Sequence, residues 1–169
     1  MCIRDRSLTS SSATVSWLEE APSGTVPALY GATAGFDQNN DSIWLLGGQT
    51  YYALNNATYC LDLSTMSWTE GTMTGDTLPP MVWSSLTWSD HMQGFMLVGG
   101  QSYYTLVSSS YAVLPTSGCT AEVIEITASG NPPPPLLGAS LVYDPSASTH
   151  TLIGGQGYYT LYDHLISFQ

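Results

Sequence analysis

The sequence predicts an all-β fold, a β-propeller whose blades are sheets of four antiparallel strands. The first observation behind this prediction is an eight-residue pattern, Gly-Gly-Gln-x-Tyr-Tyr-x-Leu, that occurs at residues 47–54, 99–106 and 154–161. The glycine pairs lie 52 and then 55 residues apart, close to the period of repeats that each form one four-stranded blade. The second observation is that no segment shows sustained helical periodicity, while Pro and Gly are frequent between the repeats.

Each repeat opens with the same two predicted strands. The first starts with small residues, as expected near a propeller axis, where the blades converge and space is least. The second is a continuous apolar run that ends at the glycine pair, and burial on both faces explains why polar residues do not alternate with it. The first strand occupies residues 32–36, 84–88 and 139–143, and the second occupies 43–46, 95–98 and 150–153.

A third strand follows, in which larger and small residues alternate. In the first repeat Tyr59 lies on one face and Cys60 on the other. We therefore interpret Cys60 as a packed small residue rather than a reactive thiol or a metal ligand. A fourth strand is expected around Trp68 and at residues 123–126, and the longer second interval is explained by an insertion in the turn at 115–120.

These elements divide the chain into blades. Residues 28–70 and 81–127 are expected to form two complete blades and 136–169 a partial one, while 7–20 supply the outer strand of a preceding blade. Residues 1–6 differ sharply in composition from the rest and are interpreted as a non-native leader. Because propellers close with four to eight blades, three repeats form an incomplete ring. We expect a fragment of a longer chain, or a chain that associates with further blades.

The charge of the chain excludes two classes of partner. It has 2 Lys and Arg residues against 13 Asp and Glu, for a formal net charge of -11. Both basic residues, Arg4 and Arg6, lie at the start, so the repeats offer no phosphate-binding surface for nucleic acid or for an anionic membrane. No stretch approaches the roughly 18 apolar residues of a membrane-spanning helix.

The cellular compartment stays open on sequence grounds. Apart from Cys2, the chain contains Cys60 and Cys119, too few to indicate a disulfide-stapled scaffold. The glycosylation sequons that begin at Asn40 and Asn56, together with the scarcity of Lys and Arg, weakly favour a secreted or cell-surface location.

The motif residues also indicate a family. In the first repeat the glycine pair is followed by Asp62 and, six residues later, by Trp68, and Pro79-Pro80 precedes the next inner strand. Over residues 15–169 this arrangement resembles kelch repeats, the motif of kelch proteins and of the central domain of galactose oxidase. The resemblance implies propeller blades in which these residues are structural, and it says little about the ligand. The repeated glycines are Gly47, Gly48, Gly99, Gly100, Gly154 and Gly155.

The resemblance further implies that the loops after the second strand share one face with the loops between blades. The repeated tyrosines should therefore cluster there, as an aromatic collar for a protein or a glycan. Identical repetition favours the alternative that these tyrosines pack adjacent blades, with Gln49, Gln101 and Gln156 bonding the loop backbone. The six tyrosines are Tyr51, Tyr52, Tyr103, Tyr104, Tyr158 and Tyr159.

Specificity is expected just after the repeated tyrosines, because the residues there differ between repeats. Asn55, Asp163 and His164 are the polar candidates. We assign no catalytic residue, metal or cofactor, since the histidines are scattered along the chain and no residues match the copper site of galactose oxidase. Asp37 and Asp144 occupy turn positions, where Asp usually bonds its own backbone.

These observations favour a noncatalytic kelch-repeat module that binds a protein or a glycan through its loop face. Two alternatives stay open. One is a fragment of a galactose-oxidase-like or other carbohydrate-active enzyme whose catalytic residues lie in other blades. The other is a structural surface protein made of many such repeats.

Overall fold

The structure, a computed structural model, describes residues 18–163 and 165–169, and over these residues the chain is all-β, as the sequence predicts. The strands of this part of the chain are β1 Tyr30–Asp37, β2 Ser42–Gln49, β3 Thr58–Asp62, β4 Ser67–Glu70, β5 Thr72–Gly75, β6 Ser85–Ser89, β7 Gly94–Val98, β8 Gln101–Ser102, β9 Thr105–Leu106, β10 Ser110–Pro115, β11 Thr120–Ile126, β12 Ser140–Asp144, β13 Thr149–Ile153 and β14 Leu165–Phe168.

The strands form three larger sheets, one for each repeat. The first sheet is the antiparallel meander β1-β2-β3-β4, and the third sheet is the meander β12-β13-β14. The middle sheet has the order β5-β11-β10-β7-β6, in which β6, β7, β10 and β11 repeat the meander of the first sheet. The sheets therefore contain four, five and three strands rather than four each.

The extra strand of the middle sheet comes from a stretch that the sequence marks only as a linker. Thr72 pairs with Thr120 and Gly75 pairs with Val123, so β5 runs parallel to β11 along its outer edge. A shorter version of this pairing occurs at the first sheet, where Ser23 accepts a hydrogen bond from the Trp68 amide at 2.9 Å. In both cases, the segment that enters a repeat covers the outer edge of that repeat's sheet.

The three sheets pack face to face, with their inner strands side by side. Strand β6 contacts β1 on one side and β12 on the other. Between the first and middle sheets, Trp44 packs with Phe95 and Val113 in one core cluster. Between the middle and third sheets, Val98 and Leu152 belong to a second cluster. The middle sheet is thus covered on both faces, and the predicted double-sided burial is confirmed for β7.

A disulfide bond joins the first and middle sheets. Cys60 of β3 is bonded to Cys119, the residue before β11, with their Cα atoms 5.8 Å apart. Cys60 is buried, which confirms its interpretation as a packed small residue, and the disulfide bond is a further feature that the sequence analysis did not predict. The two cysteines are 59 residues apart in sequence, and only the packing of one sheet against the next brings them together.

The turn carboxylates have the role that the sequence predicts. The Asp37 carboxylate accepts a hydrogen bond from the Asn39 amide at 2.9 Å, and the Asp144 carboxylate accepts one from the Ser146 amide, also at 2.9 Å. Hydrogen bonds from Ser146 hold the pKa of Asp144 below its ordinary value. These aspartates stabilise the turns between the first two strands of their repeats.

Candidate functional site

The first two glycine pairs each join their sheet to the next one. Gly48 donates its amide hydrogen to the Met81 carbonyl at 2.8 Å, and Gly100 donates to the Leu136 carbonyl at the same distance. A Cβ atom at Gly47 would lie 2.3 Å from the Met81 oxygen, and one at Gly99 would lie 2.5 Å from the Leu136 oxygen. Only glycine permits this approach, so these contacts account for the glycine pairs of the first two repeats.

A hairpin follows each glycine pair and presents the two tyrosines at its tip. The main chain of each motif glutamine pairs with the leucine that ends the motif, as in Gln49 with Leu54 and Gln156 with Leu161. In the middle repeat this pairing is the two-stranded sheet of β8 and β9. The glutamines thus bond loop backbone, and they do so through their own main chain.

The second tyrosine of each pair extends into solvent. Tyr52, Tyr104 and Tyr159 are each at least 91% exposed. Packing between the described sheets does not explain why these three residues recur, so among these sheets the packing interpretation does not hold for them. Their repetition calls for another cause, and contact with a partner molecule is one that exposed aromatic rings suit.

The first tyrosines differ from one another. The Tyr158 hydroxyl accepts a hydrogen bond from the Leu106 amide at 2.9 Å and donates one to the Tyr104 carbonyl at 3.4 Å. Tyr158 therefore braces the hairpin of the preceding repeat. Tyr51 packs edge-on against Tyr52, with ring centroids 5.0 Å apart, while Tyr103 has a left-handed backbone with φ 52°.

The structure describes two of the three polar candidates that follow the tyrosines, Asn55 and Asp163. The Asn55 amide nitrogen donates to the Gly47 carbonyl at 3.1 Å and to the Ala57 carbonyl at 2.8 Å, so this side chain braces its own loop. Asp163 is exposed. His164 lies outside the described residues.

A feature that the sequence analysis missed lies where the inner strands meet. Gly31, Trp83 and Gly138 each stand 16 residues before the first glycine of their repeat. The Trp83 amide donates to the Gly31 carbonyl at 2.8 Å, and the Gly138 amide donates to the Trp83 carbonyl at 2.8 Å. All three residues have a positive φ, of 65°, 56° and 66° in that order. Aligning the inner strands would have shown a tryptophan where the other two repeats have glycine.

Trp83 lies beside Tyr30 at the same end of the sheets as the tyrosine hairpins. Their ring centroids are 6.4 Å apart, and the rings are tilted by 52°. Trp83 is 42% exposed and Tyr30 is 51% exposed, so both rings are accessible. The neighbouring Val82 pairs with Gln101 of the middle hairpin, which places this pair of aromatic rings next to the hairpins.

The histidine of β13 belongs to the core. His150 lies between Tyr143, at a centroid distance of 4.9 Å, and Phe168, which stacks on it at 5.3 Å. Burial lowers the pKa of His150, and the nearby His91 lowers it further. Within residues 18–163 and 165–169, no three His, Cys, Asp or Glu side chains come together as a metal site.

Comparison with known proteins yields no family model and no curated protein that matches the chain. In the described part of the chain, no helix is long and apolar enough to cross a membrane. The described residues form an all-β repeat protein in which exposed aromatic rings lie at one end of the sheets.

Proposed function

We propose that the chain is a segment of a kelch-type β-propeller and acts as a noncatalytic module that binds a protein or a glycan at its hairpin face. The observation that carries this proposal is the exposure of Tyr52, Tyr104 and Tyr159, which recur without a packing role among the described residues. A tyrosine ring offers a flat apolar surface with a hydroxyl at its tip, and such rings are common in binding sites.

Several features support the propeller. The inner strands of the three sheets lie side by side, and the same glycine junction joins the first sheet to the middle one and the middle sheet to the third. The third sheet also has an apolar outer face. Ile153 is 45% exposed there, whereas Val98, its equivalent in the middle sheet, is 2% exposed. We propose that a further blade, from the same chain or another copy, covers this face.

Self-association of the chain tests the proposal that a further blade covers the outer face of the third sheet. We expect light scattering to show a mass that rises with concentration, because exposed apolar faces associate. Replacing Ile153 and Leu165 by Ser should weaken the association, while Leu161→Ser, at an exposed leucine of the hairpin, should not. If the double variant and the Leu161 control behave alike, the third sheet is not the associating face.

The binding function is tested by removing the three exposed rings together. The probes are a printed array of neutral and acidic glycans and a displayed peptide library. We expect the combined Tyr52→Ala, Tyr104→Ala and Tyr159→Ala variant to lose about tenfold or more in affinity for whichever probe the unmodified chain binds. Its thermal unfolding should be nearly unchanged, because the three rings are at least 91% exposed, and the ring that Tyr52 contacts, Tyr51, is itself 88% exposed.

The matched control replaces the same three tyrosines by Phe, which keeps the rings and removes the hydroxyls. Retained binding by this control would assign the affinity to the ring faces. Full binding by the alanine variant would refute a role for the hairpin face.

A further inference from the structure

Trp83 is the one residue that differs at a position where glycine would adopt the same backbone conformation without strain. The equivalent residues in the other two repeats are Gly31 and Gly138, and all three positions have a left-handed backbone. A bulky side chain in this conformation is an outlier, and such strain persists mainly at functional sites. The hydrogen bonds at this junction are main-chain bonds that a glycine at position 83 would also make. We therefore look for a role of the indole ring outside the junction.

The main chain of Trp83 is held at the junction, and its ring lies against Gly31 and Tyr30. Its main chain is hydrogen-bonded on both sides, to Gly31 and to Gly138. A Cβ atom at Gly31 would lie 3.0 Å from the indole Nε1, so the glycine makes room for the edge of the ring. Because the Tyr30 ring is tilted rather than stacked on the indole, both rings keep surface that faces solvent. An aromatic surface that is ordered in advance binds with little loss of side-chain entropy.

The chemistry around the two rings is polar but carries no positive charge. Gln49 is the direct cross-strand partner of Tyr30 in the first sheet. Residues 7–169 contain no Lys or Arg, and the chain carries a net charge of -11. An anionic ligand would therefore be repelled, whereas a neutral ligand with an apolar face and hydroxyl groups would match the rings and the amide.

We propose that Trp83 and Tyr30 form a stacking site for a neutral carbohydrate. This inference rests on the proposed binding function and narrows its ligand to a carbohydrate, since the two rings adjoin the hairpin face. A proline-rich peptide is the competing ligand, because such peptides also dock on aromatic side chains. Peptides of that kind use a groove lined by several aromatic residues, whereas Trp83 and Tyr30 form a single pair of rings.

The test is calorimetric titration of the whole chain with neutral tetrasaccharides, namely β-1,4-glucan, β-1,3-glucan, β-1,4-mannan and β-1,4-galactan. Tetragalacturonate serves as the anionic comparison and decaproline as the peptide comparison. We expect at least one neutral tetrasaccharide to bind, with tetragalacturonate bound more weakly. Trp83→Gly and Tyr30→Ala should each weaken binding about tenfold, while Trp83→Phe should retain part of it.

Trp83→Gly is the informative variant because the other two repeats already have glycine at this position. If it fails to fold, Tyr30→Ala and Trp83→Phe carry the test, since neither introduces glycine. One outcome is binding that is lost in the variant that replaces the three hairpin tyrosines by Ala but unchanged in the Trp83 and Tyr30 variants. That result would overturn the site at Trp83 and Tyr30 and leave the proposed function of the hairpin face standing. Absence of binding to every neutral tetrasaccharide, or binding of decaproline in their place, would overturn the carbohydrate assignment.

Discussion

The glycine junctions offer an internally controlled test of how the sheets are held together. Gly47, Gly99 and Gly154 share the same motif position and a similar positive φ, of 65°, 66° and 72°. A Cβ atom would meet the Met81 carbonyl oxygen at 2.3 Å in the first case and the Leu136 carbonyl oxygen at 2.5 Å in the second. At Gly154 its nearest contact would be the Tyr162 carbonyl oxygen at 3.6 Å, an ordinary separation.

The three Gly→Ala variants should therefore differ in their cost. Each pays about 1 kcal/mol for an alanine in the left-handed region. Gly47→Ala and Gly99→Ala also push the next sheet away, which adds about 1–3 kcal/mol of overpacking and about 1 kcal/mol for the weakened amide hydrogen bond. We expect losses of about 3–5 kcal/mol for these two and about 1 kcal/mol for Gly154→Ala. The smaller backbone entropy of the unfolded alanine variants is common to all three and cancels.

Urea unfolding followed by tryptophan fluorescence measures these differences, and thermal melts check them at about 3 °C per kcal/mol. The comparison between variants matters more than any absolute value, because all three share one parent. Equal losses in the three variants would show that backbone conformation alone explains the glycines. The close approach between sheets would then have no energetic role.

Three further predictions follow from the covalent bond, the strained tryptophan and the buried histidine. Replacing Cys60 and Cys119 by Ser should cost about 4 kcal/mol by the chain-entropy model, since the bond closes a loop of 59 residues, and urea unfolding of the double variant against the oxidised parent measures it. Trp83→Gly should be about 1 kcal/mol more stable than Trp83→Ala, because both remove the indole and only Ala keeps the left-handed strain; equal stabilities would contradict this. Because burial lowers the pKa of His150, the unfolded chain binds its proton first, so stability should fall as pH drops below the ordinary value of 6.5 and level off below the lowered value. His150→Phe, which copies Phe95 of the middle repeat, should flatten that decline below pH 6.5, and an unchanged pH profile would exclude His150 as its source.

The repeat pattern predicts the features that depend on local sequence, namely the strands before the glycine pairs and the turns after the first strands. Apolar runs before the glycine pairs became β2, β7 and β13, and the turn aspartates bond their own turns. Both features follow from side-chain periodicity and from short-range hydrogen bonding, which a single segment encodes.

The repeat pattern does not predict features that depend on contacts between different repeats. The bond between Cys60 and Cys119 depends on two sheets facing each other, and β5 depends on an edge that a distant strand provides. The exposure of the second tyrosines was misjudged because identical repetition was equated with packing. Trp83 stands 16 residues before its glycine pair, as Gly31 and Gly138 do, but only the structure shows that this position has a left-handed backbone and so makes a tryptophan there unusual.

The edge pairing of β5 with β11 means that the units of sequence and the units of structure are offset. A recombinant piece cut at residue 81, where the repeat pattern places the start of the middle blade, would leave the backbone of β11 unpaired. An unpaired edge of that kind recruits strands from other molecules and leads to aggregation. A cut before Thr72 keeps the edge closed with the protein's own chain. In evolution the same offset would hinder the exchange of the middle repeat alone, since the outer edge of its sheet is covered by residues that precede the repeat.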